Sequence, residues 1–213
     1  MGTSSNALIL ILLPSNALNA CLVSQVAYSD KIGDYPILRK PAWSPTMPKY
    51  SDVALFCDGA CLGNPGPGGW AYLLRATTAK GIQEKEGSGA EALATNNRME
   101  LKGAIEGLKA LKKPCCVYLC CDSQYVVKGI NEWLPAWKNR GWRRADKGPV
   151  LNLELWQELD GLLSVHSVQA QWVKGHAGHP ENERVDAKAR ACAEIEAERE
   201  LIAGSNPLRP TIN

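Results

Sequence analysis

One short segment constrains this chain more than any other, because an apolar run there ends in a single acid. Residues 53–57 read Val-Ala-Leu-Phe-Cys, Asp58 follows, and a glycine- and proline-rich turn begins a few residues later. A run that is apolar at every position predicts a strand buried on both faces of a sheet. An ionised carboxylate at the end of such a strand must find a metal ion, a charged partner or water. Asp58 is therefore the first candidate for a functional residue.

Three further acids have comparable settings on separate predicted elements. Glu100 lies in the first turns of a predicted helix, Asp122 directly follows an apolar run at 115–121, and Asp186 lies near the start of the last predicted helix. Four carboxylates on four elements predict one metal site. Hard divalent cations take oxygen ligands, and no Cys-X-X-Cys pair occurs in the sequence. The site therefore favours Mg²⁺ or Mn²⁺ over zinc.

A basic segment between residues 138 and 147 predicts a polyanionic partner. It carries five basic residues against Asp146 alone, although the whole chain has a formal net charge of only +2. The basic residues are Lys138, Arg140, Arg143, Arg144 and Lys147. A local basic patch on a nearly neutral protein is typical of nucleic-acid binding, and a solvated surface loop is the alternative. Two bound cations would reconcile an acidic site with a polyanionic substrate and would support in-line hydrolysis of a phosphodiester.

Length and composition predict one globular domain with additional terminal segments. The chain has 213 residues, more than a single domain of about 150 residues requires. No apolar run reaches about 18 residues, so we expect no membrane segment. The eight cysteines include two adjacent pairs, and neighbours on a strand point to opposite faces. Cysteines used as small core residues fit a reducing compartment, and we expect a cytoplasmic protein. No coiled-coil heptads are visible, which leaves the oligomeric state open, and we expect a monomer.

The first 49 residues differ in character from the rest of the chain. Residues 7–13 form a short apolar run that ends at Pro14, and Pro, Ser and Asn residues recur after it. A signal peptide is the alternative, but no charged region precedes the run, so we expect residues 1–49 to be an unstructured extension. Met47, just before the first strand, is an alternative translation start. We place the folded domain at 50–198 and a C-terminal tail at 199–213.

The order of the predicted elements indicates a mixed sheet. Five strands are predicted, at 53–57, 70–76, 81–87, 115–121 and 168–172. The first three are expected to form an antiparallel meander, and the fourth is expected to be central and parallel to the first. Thr95 is a good N-cap for the helix that Pro114 ends, and further helices are expected after Asp122, near 151–163 and from Pro180. The fold class is α/β, a five-stranded mixed sheet with helices on both faces.

Four motifs occur in the order found in one enzyme family. They are DGACLGNPGPGGW from Asp58, TNNRMEL from Thr95, DSQYV from Asp122 and WVKGHAGHPENERVD from Trp172. Together they resemble the motifs of bacterial-type ribonuclease H, type 1, and span about residues 50–195. The resemblance implies the ribonuclease H-like fold. It also implies an endonuclease that hydrolyses the RNA strand of an RNA-DNA hybrid with Mg²⁺, leaving 5′-phosphate and 3′-hydroxyl ends.

The resemblance also assigns catalytic roles, residue by residue. Asp58, Glu100, Asp122 and Asp186 resemble the metal-binding acids of the family. His176, in the sequence Gly-His-Ala-Gly-His, matches the histidine thought to assist proton transfer or product departure. The glycines around it favour a mobile side chain.

Substrate contacts are implied at further positions. The residues that resemble groove-contacting polar groups are Asn64, Asn96, Asn97 and Gln124, with turn formation and helix capping as the alternative. Thr95 and Asn152 resemble a pocket for a phosphate of the DNA strand, and Tyr125 and Trp133 resemble the aromatic lining of the DNA channel. The segment that interleaves Trp133, Trp137 and Trp142 with basic residues resembles the basic protrusion of the family. A small satellite core beneath a protruding loop is the alternative for these tryptophans.

Two other functions compete with this interpretation. A DNA-directed nuclease or strand-transfer enzyme of the same fold would need the acids, but not the contexts of Thr95 and His176. A hybrid-binding module without catalysis would be expected to have lost at least one acid, and all four are present here. The sequence therefore favours an active ribonuclease H.

Overall fold

The computed structural model describes residues 51–175 and 179–204, which form one five-stranded mixed sheet with helices on both faces. The strands are β1 (Ser51–Cys61), β2 (Gly66–Thr78), β3 (Gly81–Ala94), β4 (Cys115–Cys121) and β5 (Ser167–Trp172). The helices are α1 (Asn96–Lys109), α2 (Gln124–Lys128), α3 (Leu134–Asn139), α4 (Leu153–Val165) and α5 (Pro180–Gly204). In the sheet the strands stand in the order β3, β2, β1, β4, β5. The predicted fold class is confirmed.

The first three strands form the antiparallel meander that the sequence predicts, but they are longer than expected. β1 pairs with β2, and β2 pairs with β3. β2 begins at Gly66, inside the stretch predicted as a turn, because its glycines allow close contact with neighbouring elements. A Cβ atom added to Gly69 would lie 2.1 Å from the carbonyl oxygen of Ala189 on α5. The glycines that resemble a loop in sequence therefore serve strand-helix packing.

The central pair of strands is parallel, with α1 as the crossover helix. β1 and β4 pair from Ser51 opposite Cys115 to Phe56 opposite Cys120. As predicted, the Thr95 side chain caps α1 by accepting a hydrogen bond from the Arg98 amide at 3.4 Å. This crossover places the ends of β1 and β4, and so Asp58 and Asp122, at the same edge of the sheet.

Two apolar layers cover the two faces of the sheet. On one face the fully buried Leu55 and Leu119 pack with α1 and with Trp156 of α4. On the other face, Phe56 and Leu73 pack against Val185 and Ala189 of α5. Burial on both faces explains why β1 and β4 are apolar at nearly every position.

The tryptophan-rich stretch after α2 joins the main core. A π-helical turn, Gly129–Trp133, connects α2 to α3, and a Cβ atom at Gly129 would lie 1.9 Å from the Trp156 ring. Trp137 packs edge-on against Trp156, with ring centroids 5.3 Å apart. Trp137 and Trp142 are partly buried against this core. The structure therefore supports the packing interpretation for these two residues.

The last helix continues past the expected end of the domain. α5 runs to Gly204, beyond residue 198, and its last turns expose Leu201 and Ile202. The extension predicted at 1–49 and residues 205–213 of the tail predicted at 199–213 lie outside the described residues. No helix in the described part of the chain is long and apolar enough to cross a membrane.

Candidate active site

Asp58 lies at a close crossing of β1 and α1. Asp58 is buried, with only 6% of its surface exposed. At the next residue, Gly59, a Cβ atom would lie 2.1 Å from the Glu100 amide nitrogen. Only a glycine allows α1 to approach β1 this closely. The contact brings the start of α1, which carries Glu100, directly beside Asp58.

The electrostatics of Asp58 show that the predicted acids converge. Burial, followed by the charge of Asp122, raises the pKa of Asp58 to about 8. The charges of Asp186 and Glu100 raise it further, and a hydrogen bond of 2.7 Å from the Gly59 amide opposes the shift. A carboxylate surrounded by three others requires a cation or a proton to compensate its charge.

Glu100 is fixed by hydrogen bonds at both carboxylate oxygens. The Asn96 amide donates to Oε1 at 2.9 Å, and the Ser123 hydroxyl donates to Oε2. The hydroxyl of Ser123 also caps α2 by accepting from the Val126 amide at 3.3 Å. Burial raises the pKa of Glu100, and these hydrogen bonds oppose that shift. Glu100 is therefore oriented by these two protein donors.

Asp122 is held at three points. The indole of Trp172 donates to its main-chain carbonyl at 2.9 Å, and the Asn182 amide donates to Oδ2 at 3.2 Å. Gly175 packs so closely that a Cβ atom there would lie 2.5 Å from Oδ2. These contacts come from β5, from α5 and from the segment that joins them.

Asp186 completes the group from α5. Its two carboxylate oxygens accept hydrogen bonds of 2.8 and 2.9 Å from Arg190, one turn later on the helix. Its charge also contributes to the raised pKa of Asp58. The cationic partner on the same helix offsets part of the negative charge of the site.

The donor chemistry of these residues fits a hard divalent cation. All four side chains supply carboxylate oxygens, which are the ligands that Mg²⁺ and Mn²⁺ prefer. In the described ranges 51–175 and 179–204, no three Asp, Glu, His or Cys side chains stand close enough together to enclose a metal ion. Hydrogen bonds from Asn96, Ser123, Asn182 and Arg190 hold three of the acids. The predicted ligands thus affect one another electrostatically. Hydrogen bonds from these protein donors set the orientation of Glu100, Asp122 and Asp186.

The predicted histidine belongs to the segment between Gly175 and His179. His176 lies outside the described residues, as do residues 177 and 178. The segment enters this region at Gly175, in contact with Asp122, and the described chain resumes at His179 before α5. His176 therefore remains a candidate from the sequence.

The polar residues predicted to contact the groove surround the start of α1 and α2. The side-chain oxygen of Asn64 accepts a hydrogen bond of 3.2 Å from the backbone N–H of Asn96, so Asn64 also caps α1. Asn97 and Gln124 are exposed. The hydrogen bond of Asn64 supports its capping interpretation. Because the side chain of Asn96 contacts Glu100, these polar residues lie next to the acids.

The residues predicted to bind the DNA strand lie around the starts of α1 and α4. An ion pair between Arg98 and Glu154 joins these two helix ends, next to Thr95 and Asn152 respectively. Asn152, in a left-handed conformation with φ of 54°, donates to the hydroxyl of Tyr125 at 3.2 Å. Tyr125 also contacts Trp133, with ring centroids 6.0 Å apart. Asn152, Tyr125 and Trp133 therefore form one continuous surface.

The basic segment begins with Lys138 in the last turn of α3 and continues through the exposed loop between α3 and α4. Lys138 pairs with Asp160 at 2.8 Å, and Arg144 pairs with Asp146 at 2.9 Å. Arg143 donates to the carbonyl of Lys147 at 3.3 Å, and Arg140 is exposed. Because these contacts are exposed, the loop keeps most of its positive potential available to a polyanion.

The sequence did not single out the residues that hold the acids. They are Ser123, Trp172, Gly175, Asn182 and Arg190. Two signals were available: all of them except Arg190 lie inside the motifs DSQYV and WVKGHAGHPENERVD, and Asn182 and Arg190 each lie four residues from Asp186 on one face of α5. The other contacts cross between elements that are distant in sequence.

Comparison with known proteins identifies the family. The family model described as RNase H matches residues 50–194. This chain belongs to the ribonuclease H family. It is 59% identical over 138 residues to the ribonuclease H of Bradyrhizobium diazoefficiens, covering 65% of this chain and 87% of that protein. It is 60% identical over 137 residues to the ribonuclease H of Bordetella pertussis, covering 64% and 86% of the two chains.

Solved structures agree with this assignment. The crystal structure of LC9-RNase H1, described as a type 1 RNase H with the type 2 active-site motif, superposes with a TM-score of 0.65 at 35% identity. The match covers 71% of this ribonuclease H and 76% of that chain. The predicted family and fold are confirmed. Ribonucleases H generally depend on a divalent metal.

Proposed function

We propose that this ribonuclease H is an endonuclease that hydrolyses the RNA strand of RNA-DNA hybrids and leaves 5′-phosphate and 3′-hydroxyl ends. One observation carries the proposal: burial, together with the charges of Asp122, Asp186 and Glu100 from other elements, raises the pKa of Asp58 to about 8. Such a site suits a reaction in which metal-assisted attack occurs at a phosphate. The family assignment, with about 60% identity to curated ribonucleases H, supports the same reaction.

The acids would hold Mg²⁺, as two ions during catalysis, with Mn²⁺ as an alternative. Asp58 occupies the centre, with Glu100, Asp122 and Asp186 around it. When bound, the two ions would supply an activated water and neutralise charge at the leaving oxygen of an in-line displacement. His176 would assist proton transfer or product departure.

The surrounding residues would bind and orient the hybrid. Asn64, Asn96, Asn97 and Gln124 are suited to read 2′-hydroxyls and base edges in the minor groove. Thr95 and Asn152 would bind a phosphate of the DNA strand, while Tyr125 and Trp133 would line its channel. Lys138 at the end of α3 and the exposed loop with Arg140, Arg143 and Arg144 would contact phosphates through their charge.

The remaining properties are proposed from the described chain. The seven cysteines among the described residues are free thiols, which supports a reducing, cytoplasmic compartment. We propose a monomer, because one chain supplies all the acids. The catalytic unit would extend over 50–198, with 1–49 and 199–213 as flanking segments. A protein that starts at Met47 should then match the full chain in thermal midpoint and in hybrid cleavage, and a loss of most activity would contradict this boundary.

Cleavage of labelled substrates in Mg²⁺ tests the function directly. An RNA-DNA hybrid is incubated beside duplex RNA and duplex DNA, and the product ends are determined. We expect cleavage of the RNA strand of the hybrid alone. Asp58→Asn should abolish it, while Asp52→Asn, the same substitution at the exposed start of the same strand, should retain it. Cleavage of duplex DNA, or full activity of Asp58→Asn, would overturn the proposal.

A further inference from the structure

Asn182 is a buried amide in contact with an acid of the site. The residue is 3% exposed, and its Nδ2 donates to Oδ2 of Asp122 at 3.2 Å. Its Oδ1 has no hydrogen-bond partner, and it is the one buried side-chain nitrogen or oxygen atom among the described residues in that condition. Buried polar atoms are nearly always satisfied, so this exception calls for a physical reason.

The neighbouring carboxylate fixes the orientation of the amide. Oδ2 of Asp122 accepts hydrogen bonds, so the NH₂ group of Asn182 must face it, and Oδ1 must point away. A buried acceptor without a donor destabilises the fold. An apolar side chain of similar volume would avoid this cost. The stability of the metal-free protein therefore does not explain an asparagine at this position.

The position of Asn182 on α5 couples two acids. Asn182 and Asp186 are four residues apart, so they lie on the same face of the helix. Asp122 belongs to the end of β4, and the bond from Asn182 therefore links the two elements that carry these acids. Ion pairs fix the opposite flank of α5, where Arg184 contacts Glu84 at 2.8 Å and Lys188 contacts Glu86 at 2.6 Å. The helix is thus held so that Asn182 reaches Asp122.

We propose that Asn182 is a positioning residue for the reaction of this ribonuclease H. Its NH₂ group sets the orientation of the Asp122 carboxylate relative to Asp186, and its Oδ1 accepts a hydrogen bond from a water molecule when the site is loaded. The role rests on the proposed function, since it concerns the acids that would hold the cation. Residues that orient metal ligands typically change metal affinity or activity by about 10- to 100-fold when they are replaced.

Asn182→Leu tests the proposal, because leucine has a similar volume but neither donates nor accepts a hydrogen bond. In the full-length protein with Mg²⁺ and a labelled hybrid, we expect kcat to fall by about 10- to 100-fold. KM should stay within about twofold, because Asn182 is not placed to bind the hybrid. The thermal midpoint in EDTA should stay within about 3 °C of the parent value, since the unsatisfied acceptor disappears together with the hydrogen bond. Asn182→Ala is the second variant if leucine does not fold.

Asn131→Ala is the matched control. Asn131 is exposed on the π-helical turn and donates to the carbonyl of Ala170 at 3.1 Å, a hydrogen bond of similar length that involves none of the acids. This variant should keep the kcat of the parent. A kcat of Asn182→Leu within about twofold of the parent, with or without a lower thermal midpoint, would show a merely structural role and overturn the proposal.

A readout without substrate separates this proposal from the proposed function. Mg²⁺ raises the thermal midpoint of a protein that binds it in the folded state. We expect this rise to be smaller in Asn182→Leu than in the parent, because the orientation of Asp122 is lost. If the parent did not cleave hybrids, the proposed function would fail, but this comparison would still hold. An equal Mg²⁺-dependent rise in both proteins would overturn the role of Asn182.

Discussion

The indole of Trp156 donates a hydrogen bond of 2.8 Å to the hydroxyl of Tyr125. Trp156 is fully buried, and this bond satisfies its nitrogen at the base of the surface proposed to bind the DNA strand. Tyr125 therefore has two roles: its ring contacts Trp133 at the surface, and its hydroxyl supports the core below. Removing the hydroxyl alone tests its contribution to stability.

Tyr125→Phe should destabilise the protein. The variant keeps the ring but leaves the buried indole of Trp156 without its acceptor, which costs about 1–3 kcal/mol. Urea unfolding measures the loss. Tyr118→Phe, at a half-buried tyrosine on β4, should change stability by less than about 0.5 kcal/mol. Equal losses of stability in the two variants would contradict this role of the hydroxyl.

A second prediction concerns the charged network that anchors α5. Arg75 pairs with Glu84 at 2.7 Å and with the buried Glu181. Breaking a buried pair costs several kcal/mol, but the Arg75 side chain is 31% exposed, so Arg75→Met should cost about 1–3 kcal/mol. Lys109→Met, which removes exposed pairs with Glu106 and Glu158, should cost less than about 1 kcal/mol. Equal unfolding midpoints in urea for Arg75→Met and the parent would show that the network does not stabilise α5.

The sequence predicted elements best where burial and end signals agree. β4 matches its predicted range of 115–121 because every residue is apolar, Pro114 precedes it and the cap residue Ser123 follows. β3 was expected to end near 87 and continues to Ala94, because it is an edge strand and its exposed polar residues show no alternation. The end of α5 was hidden for the same reason, since its last turns are exposed and carry no apolar stripe.

The candidate site could also be predicted only in part from the sequence. The four acids were accessible from sequence because a carboxylate at the end of a buried run is unusual. The groups that hold them were not, because Trp172 and Asn182 reach Asp122 across 50 and 60 residues of sequence. Periodicity and motif order describe which residues share an element. They do not describe which donors meet a given carboxylate across elements.

The basic loop should determine affinity for the hybrid rather than the rate of the chemical step. Replacing Arg140, Arg143 and Arg144 by alanine removes three exposed charges and should raise KM with kcat unchanged. The slope of log affinity against log salt should become shallower by up to about 2–3, because fewer counterions are released. Replacing Lys80, Lys112 and Lys113, exposed lysines outside this loop, is a control of equal charge. A lower kcat at saturating hybrid, with KM unchanged, would contradict the role of the loop.

Asp58 should be essential for cleavage, but its charge should lower the stability of the metal-free protein. Its pKa is about 8 in the folded protein against 3.8 for an unperturbed side chain, so unfolding between these pH values releases a proton. The stability of the parent, relative to Asp58→Asn, should therefore fall as pH rises from about 4 to about 8 and then level off. Thermal melts in EDTA across this range should show the variant to be the more stable protein at pH 8.

Added Mg²⁺ should favour the stability of the parent over that of Asp58→Asn. A ligand stabilises only the state that binds it, and the parent keeps the carboxylate that Asp58→Asn lacks. We therefore expect added Mg²⁺ to raise the thermal midpoint of the parent more than that of the variant, while hybrid cleavage by the variant nearly vanishes. Asp52→Asn should respond to Mg²⁺ as the parent does, because Asp52 lies at the other end of β1. If Asp58→Asn melted well below the parent in EDTA, its carboxylate would be stabilising the metal-free fold, and the four acids would not form the repulsive cluster that a cation must neutralise.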